Sequence, residues 1–141
     1  TPWRAPSADT PTFNVSSENN DPDSLFNHYR DLIHLRNAHP ALLNGDWVPV
    51  ESGSKYIYAF MRTTAEEQIL VVINASRETV SGSDYSLTLI NGSLPTGVRA
   101  VSLLGEANPA EISINANGGF DAYIPFSSIP GKGFAIIQIA P

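Results

Sequence analysis

The change in hydrophobic period at Gly45 constrains this chain more than any other feature of its sequence. Before Gly45, one segment carries apolar residues at helical spacing. After it come runs of roughly four to nine residues rich in Val, Ile, Tyr, Phe and Thr, separated by Gly, Asn, Ser and Pro. A chain of 141 residues is long enough for one buried core and too short for two ordinary domains. We therefore predict one amphipathic helix followed by an antiparallel β-structure.

The helix is predicted over residues 22–38. Asp21 can cap free backbone N–H groups, and Pro22 suits the first helical position. Pro40 disfavours a helical conformation at His39 and marks the end. The apolar stripe covers about half of the helix circumference, so we expect a large surface to pack on it. Its members are Leu25, Tyr29, Leu32 and Ile33, widened at the edges by Phe26 and Leu35.

Arg36 lies near the centre of this stripe, at about 20 degrees from Leu25 on a helical wheel. Its long side chain can extend to the edge of the stripe, or its charge can form a buried ion pair. The pattern leaves both alternatives open. The preceding residues 1–20 contain Pro2, Pro6 and Pro11 among small polar residues, which predicts a loop.

The remainder of the chain predicts about eight short strands with turn residues between them. Such regular punctuation is typical of an antiparallel sandwich or a Greek-key barrel. We therefore assign the chain to the mainly β class, with one helix before a Greek-key β-sandwich. The predicted strands are residues 46–51, 55–63, 67–74, 77–81, 85–90, 98–104, 110–114 and 133–139, with 119–124 as a ninth candidate.

The composition argues against several classes of function. A net charge of -6 provides no positive field to attract nucleic acid or an anionic membrane. Cysteine is absent, and His28, His34 and His39 are six and five positions apart, not the three or four that a helical metal site needs. We predict no metal site, no cofactor and no catalytic residue. Glu66 and Glu67 are interpreted as a solvated hairpin turn.

Exposed aromatic rings are the main candidates for ligand contact. Trp47, Tyr56 and Tyr58 could stack on sugars, and alternation places Tyr56, Tyr58 and Phe60 on one face of a strand. Core packing is the competing interpretation.

Two weaker patterns concern the location of the protein. Asn14, Asn74 and Asn91 each begin an Asn-x-Ser sequon, which matters only in a eukaryotic secretory setting. Lys55 and Lys132 are the only lysines, and Ser, Thr and Asn are abundant. This composition favours an extracellular or cell-surface protein.

Residues 21–42, DPDSLFNHYRDLIHLRNAHPAL, resemble the end of the catalytic barrel in the alpha-amylase family, family 13 of the glycoside hydrolases. The pairs Tyr29-Arg30 and Leu35-Arg36 resemble those of the eighth barrel helix. ILVVINAS at 69–76 and GKGFAIIQI at 131–139 are similar to the antiparallel C-terminal domain of that family, domain C. Thr1-Pro2-Trp3 resembles the Thr-Pro element after the last barrel strand.

The resemblance implies a division into residues 1–45, a loop and the last helix of a (β/α)8 barrel, and 46–141, a C-terminal β-sandwich. It implies a parent enzyme that hydrolyses or transfers at α-glucosidic bonds with retention, whose catalytic residues lie outside this chain. The expected partner is the catalytic barrel, and α-glucan is a further candidate. The residues expected to contact the barrel are Leu25, Tyr29, Leu32, Ile33 and Arg36.

Two alternatives compete with this structural role. The chain could be a stand-alone module that binds starch or maltodextrin through its aromatic residues. It could also be a self-contained catalyst, which the absence of an acid/base constellation argues against.

Overall fold

The computed structural model describes residues 3–106 and 108–141. Thr1 and Pro2, which carry the predicted Thr-Pro element, lie outside the described residues. The chain divides into two compact units, Thr1–Ala38 and His39–Pro141. The first contains helices α1 (Val15–Asn20) and α2 (Leu25–Ala38), and the second begins with α3 (Pro40–Asn44). The predicted domain division after residue 45 stays a prediction.

Helix α1 lies in a segment predicted to be a loop, and that prediction was wrong. Asn14 caps the helix, because its Oδ1 accepts the N–H of Ser17 at 3.0 Å and Ser17 Oγ accepts the N–H of Asn14 at 3.2 Å. These two bonds form a capping box. No residue of α1 is buried, so the helix has no apolar period that the sequence could reveal.

Helix α2 begins at Leu25, three residues after the predicted start. Asp21 Oδ1 instead accepts the N–H of Asp23 at 3.0 Å in a turn. Ser24 Oγ accepts the N–H of Asn27 at 3.2 Å and takes the capping role predicted for Asp21. The predicted helix is therefore confirmed from residue 25 to residue 38, and its start is corrected from residue 22 to Leu25.

The polar side of α2 packs against α1. Asn27 is 4% exposed, and its Nδ2 donates to the carbonyls of Glu18 and Asp21 at 3.0 and 2.6 Å. It is the one buried residue of α2. The contact with α1 thus uses a polar side chain and leaves the apolar stripe of α2 outside it.

The second unit is built from antiparallel pairs, which confirms the mainly β fold class. Five strands form one sheet in the order β1-β2-β3-β9-β6, and β4-β8 and β5-β7 form two small pairs. The non-sequential order is the kind that a Greek-key topology produces. The strands are β1 (Asp46–Val50), β2 (Ile57–Thr63), β3 (Gln68–Asn74), β4 (Val80–Ser81), β5 (Leu87–Leu89), β6 (Arg99–Gly105), β7 (Phe120–Tyr123), β8 (Ser128–Ile129) and β9 (Phe134–Ala140).

The core of the second unit joins one face of the five-stranded sheet to the two small pairs. Strand β3 is central, and both Ile69 and Leu70 are fully buried on its opposite faces. This agrees with the continuous apolar run that predicted a central strand. The largest side chains of the core include Met61, Leu70, Leu87, Phe120, Ile129 and Ile137.

Two strand predictions were wrong. Residues 110–114 form no strand: Ile112 is buried, but its segment is held by isolated bonds such as Ala110 N–H to the Pro125 carbonyl at 2.8 Å. Strand β8 was missed because Ser128 is polar and Pro130 follows closely. The ninth candidate is confirmed as β7.

Two buried tyrosines predict a loss of stability at high pH. Tyr85 Oη donates to the Phe126 carbonyl at 2.8 Å and accepts the Phe126 N–H at 3.2 Å. Burial raises the pKa of Tyr85 and, more strongly, that of Tyr123. Because the pKa of each tyrosine is higher in the folded than in the unfolded state, its contribution to stability is complete below about pH 10, the pKa in the unfolded state. That contribution falls as the pH rises further.

We therefore expect the free energy of unfolding of the wild type, measured in urea, to fall more steeply above about pH 10 than that of Tyr85→Phe. Tyr58→Phe, at a half-exposed position, is the control and should keep the wild-type slope. Equal slopes in wild type and Tyr85→Phe would contradict the prediction.

Candidate functional site

The first candidate surface is the apolar face of α2, which is exposed. The exposed fractions of Leu25, Tyr29 and Ile33 are 66%, 59% and 54%. Leu32 is half-buried and Arg36 is exposed. The single ion pair found among the described residues does not include Arg36. Whether the Arg36 side chain extends to the edge of the stripe or forms a buried ion pair in a barrel contact stays open. Contact of this face with a barrel stays a prediction.

Neighbouring side chains deepen this face into a groove. Phe26, Glu18 and Arg30 line it together with Leu25, Tyr29 and Ile33. The guanidinium carbon of Arg30 lies 5.7 Å from the centre of the Phe26 ring, and its Nη1 donates to Asn19 Oδ1 at 2.9 Å. The rim is therefore polar and ordered while the floor is apolar.

Glu67 is a largely buried anchor for α3. Its predicted place in a hairpin turn is confirmed, because it lies between the paired strands β2 and β3, but its predicted solvation was wrong. Its Oε1 lies 2.6 Å from His39 Nδ1, and its Oε2 accepts the N–H of Ala41 at 3.0 Å. Gln138 Nε2 donates to the same carboxylate at 3.3 Å. The side chain of Glu67 is 11% exposed. The carboxylate supplies the cap that His39, at the N-cap position, does not provide itself.

Replacing Glu67 by Ala is expected to lower the free energy of unfolding by about 2 kcal/mol, because a charged acceptor with three partners is removed. Its neighbour Glu66 is exposed. Glu66→Ala is therefore a matched control and should change stability by less than about 0.5 kcal/mol. Urea unfolding measures both, and equal losses would show that Glu67 is not an anchor.

A second candidate surface is an aromatic strip on the outer face of the sheet. The rings of Trp47 and Phe60 have centroids 6.3 Å apart, and those of Tyr58 and Phe60 are 5.6 Å apart. Trp47 and Tyr58 are 50% and 51% exposed, while Phe60 between them is half-buried. Trp47 and Tyr58 therefore do not pack in the core of this unit. Their contact with sugar stays a prediction.

Tyr56 does not contribute to this strip but to a separate cleft of about 380 Å³. The ring is 47% exposed and lies beside the loop between β3 and β4. Most of the remaining lining residues are of polar or charged type, although the surface presented to the cleft is mainly apolar. They are Ser76, Arg77, Glu78, Thr79, Val80 and Asp84. The sequence singled out Tyr56 but gave no signal for these partners.

Among the described residues, no group of three His, Asp or Glu side chains could hold a metal ion. None of the described helices has the length and apolar character needed to cross a membrane.

The chain matches no family model. It is 34% identical over 79 residues to oligo-1,6-glucosidase of Parageobacillus thermoglucosidasius and 35% identical over 68 residues to palatinase of Erwinia rhapontici. These matches cover 56% and 48% of this chain but 14% and 12% of the relatives. The chain is related to the C-terminal part of alpha-amylase-family enzymes. The predicted resemblance is thereby confirmed.

Solved structures of the alpha-amylase family extend the likeness over the whole chain. A variant of isomaltulose synthase from Erwinia rhapontici NX5 in complex with D-glucose matches with a TM-score of 0.62 and 27% identity. The match covers 100% of this chain and 22% of that one. A trehalulose synthase variant gives a TM-score of 0.63 at 27% identity, covering 98% of this chain and 22% of that one. The chain corresponds to a small C-terminal part of such enzymes, and the catalytic barrel lies outside the matched part.

Proposed function

We propose that this chain is the C-terminal structural part of a glycoside hydrolase that acts on α-glucosidic bonds. In this proposal α2 is the last helix of the (β/α)8 barrel, and the β-sandwich stabilises the barrel without contributing catalytic residues. One observation is the main support for this proposal. Relatives named as glucosidases align with this chain over only a small part of their own length, 14% in the case of oligo-1,6-glucosidase.

The exposed face of α2 supports a barrel contact. Leu25, Tyr29 and Ile33 are each more than half exposed and lie on one side of the helix. Burying such a side chain contributes about 1.5–3 kcal/mol, so a surface that covers this face would stabilise the protein considerably. Leu32 and Arg36 belong to the same side in sequence. The opposite, polar side is already occupied by α1 through Asn27.

An antibody against this chain tests the proposal in the source organism. We expect an immunoblot band several times larger than 15.2 kDa, the mass of the chain. We also expect the immunoprecipitated protein to hydrolyse a nitrophenyl α-glucoside. A band at the size of the chain, or hydrolysis by the purified 141-residue chain itself, would contradict the proposal.

A binding module for starch or maltodextrin is the second candidate function, supported by the exposed rings of Trp47 and Tyr58 beside Phe60. If the strip holds starch, Trp47→Ala should abolish co-sedimentation with insoluble starch. Trp3, which is 96% exposed and lies in the first unit, offers a matched control. Equal co-sedimentation of Trp47→Ala and Trp3→Ala would exclude the strip as a starch-binding surface.

A further inference from the structure

We propose that the cleft beside Tyr56 binds a neutral α-gluco-oligosaccharide. The cleft is lined by one aromatic ring and by the loop between β3 and β4, with Asp84 closing one side. Only the class of sugar rests on the proposed function. The presence of a binding site rests on the cleft itself.

The lining combines the two kinds of group that a sugar needs. The half-exposed ring of Tyr56 offers an apolar face for the C–H face of a pyranose, and Val80, which is 5% exposed, adds apolar surface. Arg77, Thr79 and Asp84 also line the cleft, and their side chains carry groups that can donate to or accept from sugar hydroxyls. The volume of about 380 Å³ lies within the range of small-molecule sites.

The polar groups of the cleft are available to a ligand. Within the described part of the chain, the side chains of Arg77, Glu78 and Thr79 make no hydrogen bond or ion pair. All three are exposed at the cleft. Their donors and acceptors are solvated and can be exchanged for sugar hydroxyls.

The charges select against an anionic ligand. The lining includes two acidic residues, Glu78 and Asp84, and one basic residue, Arg77. This lining is net negative in a chain whose net charge is -6, so phosphates and carboxylates are repelled. A neutral polyhydroxylated molecule meets no such penalty, because carboxylates are good acceptors for hydroxyl groups.

The loop that carries these groups is held in place before any ligand arrives. Asn74 Nδ2 donates to the Glu78 carbonyl at 2.8 Å, and Asn74 Oδ1 accepts the N–H of Ser76 at 3.0 Å. The N–H of Lys132 donates to the Ser76 carbonyl at 2.9 Å. Gly131 lies so close to the loop that a Cβ there would sit 1.9 Å from the Arg77 carbonyl oxygen. A rigid loop reduces the entropy lost on binding.

The orientation of the Tyr56 ring is also restricted. Lys55 Nζ lies 4.9 Å from the ring centroid, which is a cation–π distance. The ammonium covers one face of the ring, and the sugar would stack on the other. Lys55 therefore acts as a support for the stacking face.

Calorimetric titration of the 141-residue chain with maltotriose and isomaltotriose tests the proposal. We expect millimolar binding, weakened at least about tenfold by Tyr56→Ala, since loss of a central aromatic contact commonly has such an effect. Asp84→Asn should weaken binding several-fold. Trp3→Ala is the control, because Trp3 is an exposed aromatic residue of the first unit and lies outside both the cleft and the aromatic strip. Unchanged melting temperatures of the variants would show that they fold.

Two results would overturn the site: no binding of either sugar, or equal losses in Tyr56→Ala and Trp3→Ala. Equal affinity for cellotriose would overturn the assigned class of sugar. These results do not depend on the immunoblot that tests the proposed function. A large native protein without sugar binding to this chain would refute only the cleft. A native protein of 15.2 kDa that binds maltotriose through Tyr56 would refute only the structural role.

Discussion

Replacing Asn74 by Ala is expected to lower the free energy of unfolding by about 3–5 kcal/mol. Asn74 is fully buried, and its Nδ2 donates to the carbonyls of Glu78, Ile129 and Pro130 at 2.8, 3.0 and 3.0 Å. These bonds join the end of β3 to the loop that follows it, to the end of β8 and to Pro130 after β8. Alanine would leave the carbonyls without their donor and also create a cavity.

Urea unfolding measures this loss, and Asn91→Ala is a matched control because Asn91 is exposed and also begins a sequon. Asn74→Asp keeps the shape but places a carboxylate oxygen against the carbonyl oxygens in a buried site, so it should cost at least as much as Asn74→Ala. A loss below about 1 kcal/mol for Asn74→Ala would refute this account. The burial of Asn74 also means that the folded chain cannot carry a glycan there.

In the longer protein that we propose, Ile33→Asp is expected to lower the free energy of unfolding by about 3 kcal/mol. The substitution would place an unpaired carboxylate in the contact between α2 and the barrel. In the 141-residue chain the same change should have little effect, because Ile33 is already 54% exposed. Thermal unfolding of both proteins, with and without the substitution, provides the measurement.

His34→Asp is the control for this second prediction. It introduces the same charge one position along, about 100 degrees around the helix, at a residue that is exposed and outside the apolar stripe. It should leave the longer protein nearly as stable as the wild type. Similar losses for Ile33→Asp and His34→Asp would show that the face of α2 makes no specific contact.

The sequence predicted the elements whose apolar residues repeat along the chain. Helix α2 shows its apolar stripe in the positions from Leu25 to Ile33, and β3 shows a continuous apolar run that indicates a central strand. Elements without such repetition were missed. Helix α1 is held by the Asn14 and Ser17 side chains, and β8 has only two residues.

The candidate surfaces divide in the same way. That Trp47, Tyr56 and Tyr58 could contact sugar was inferred from residue type, but their separation into a strip and a cleft was not. Arg77 and Asp84 join Tyr56 only because β3, the following loop and the turn at Gly82–Asp84 meet in space. Contacts of this kind depend on the three-dimensional path of the chain, which local patterns do not encode.

The sequence by itself determined the class of fold, the helix before the sheet and the resemblance to the C-terminal part of the alpha-amylase family. These depend on hydrophobic periods and on local motifs, which residues close in sequence express together. Only the tertiary structure decided that Glu67 anchors α3 and that Asn74 is a buried donor. Both roles depend on partners distant in sequence, such as His39, 28 positions from Glu67, and Pro130, 56 positions from Asn74. Bonds of such long range form only when the sheet brings the segments together.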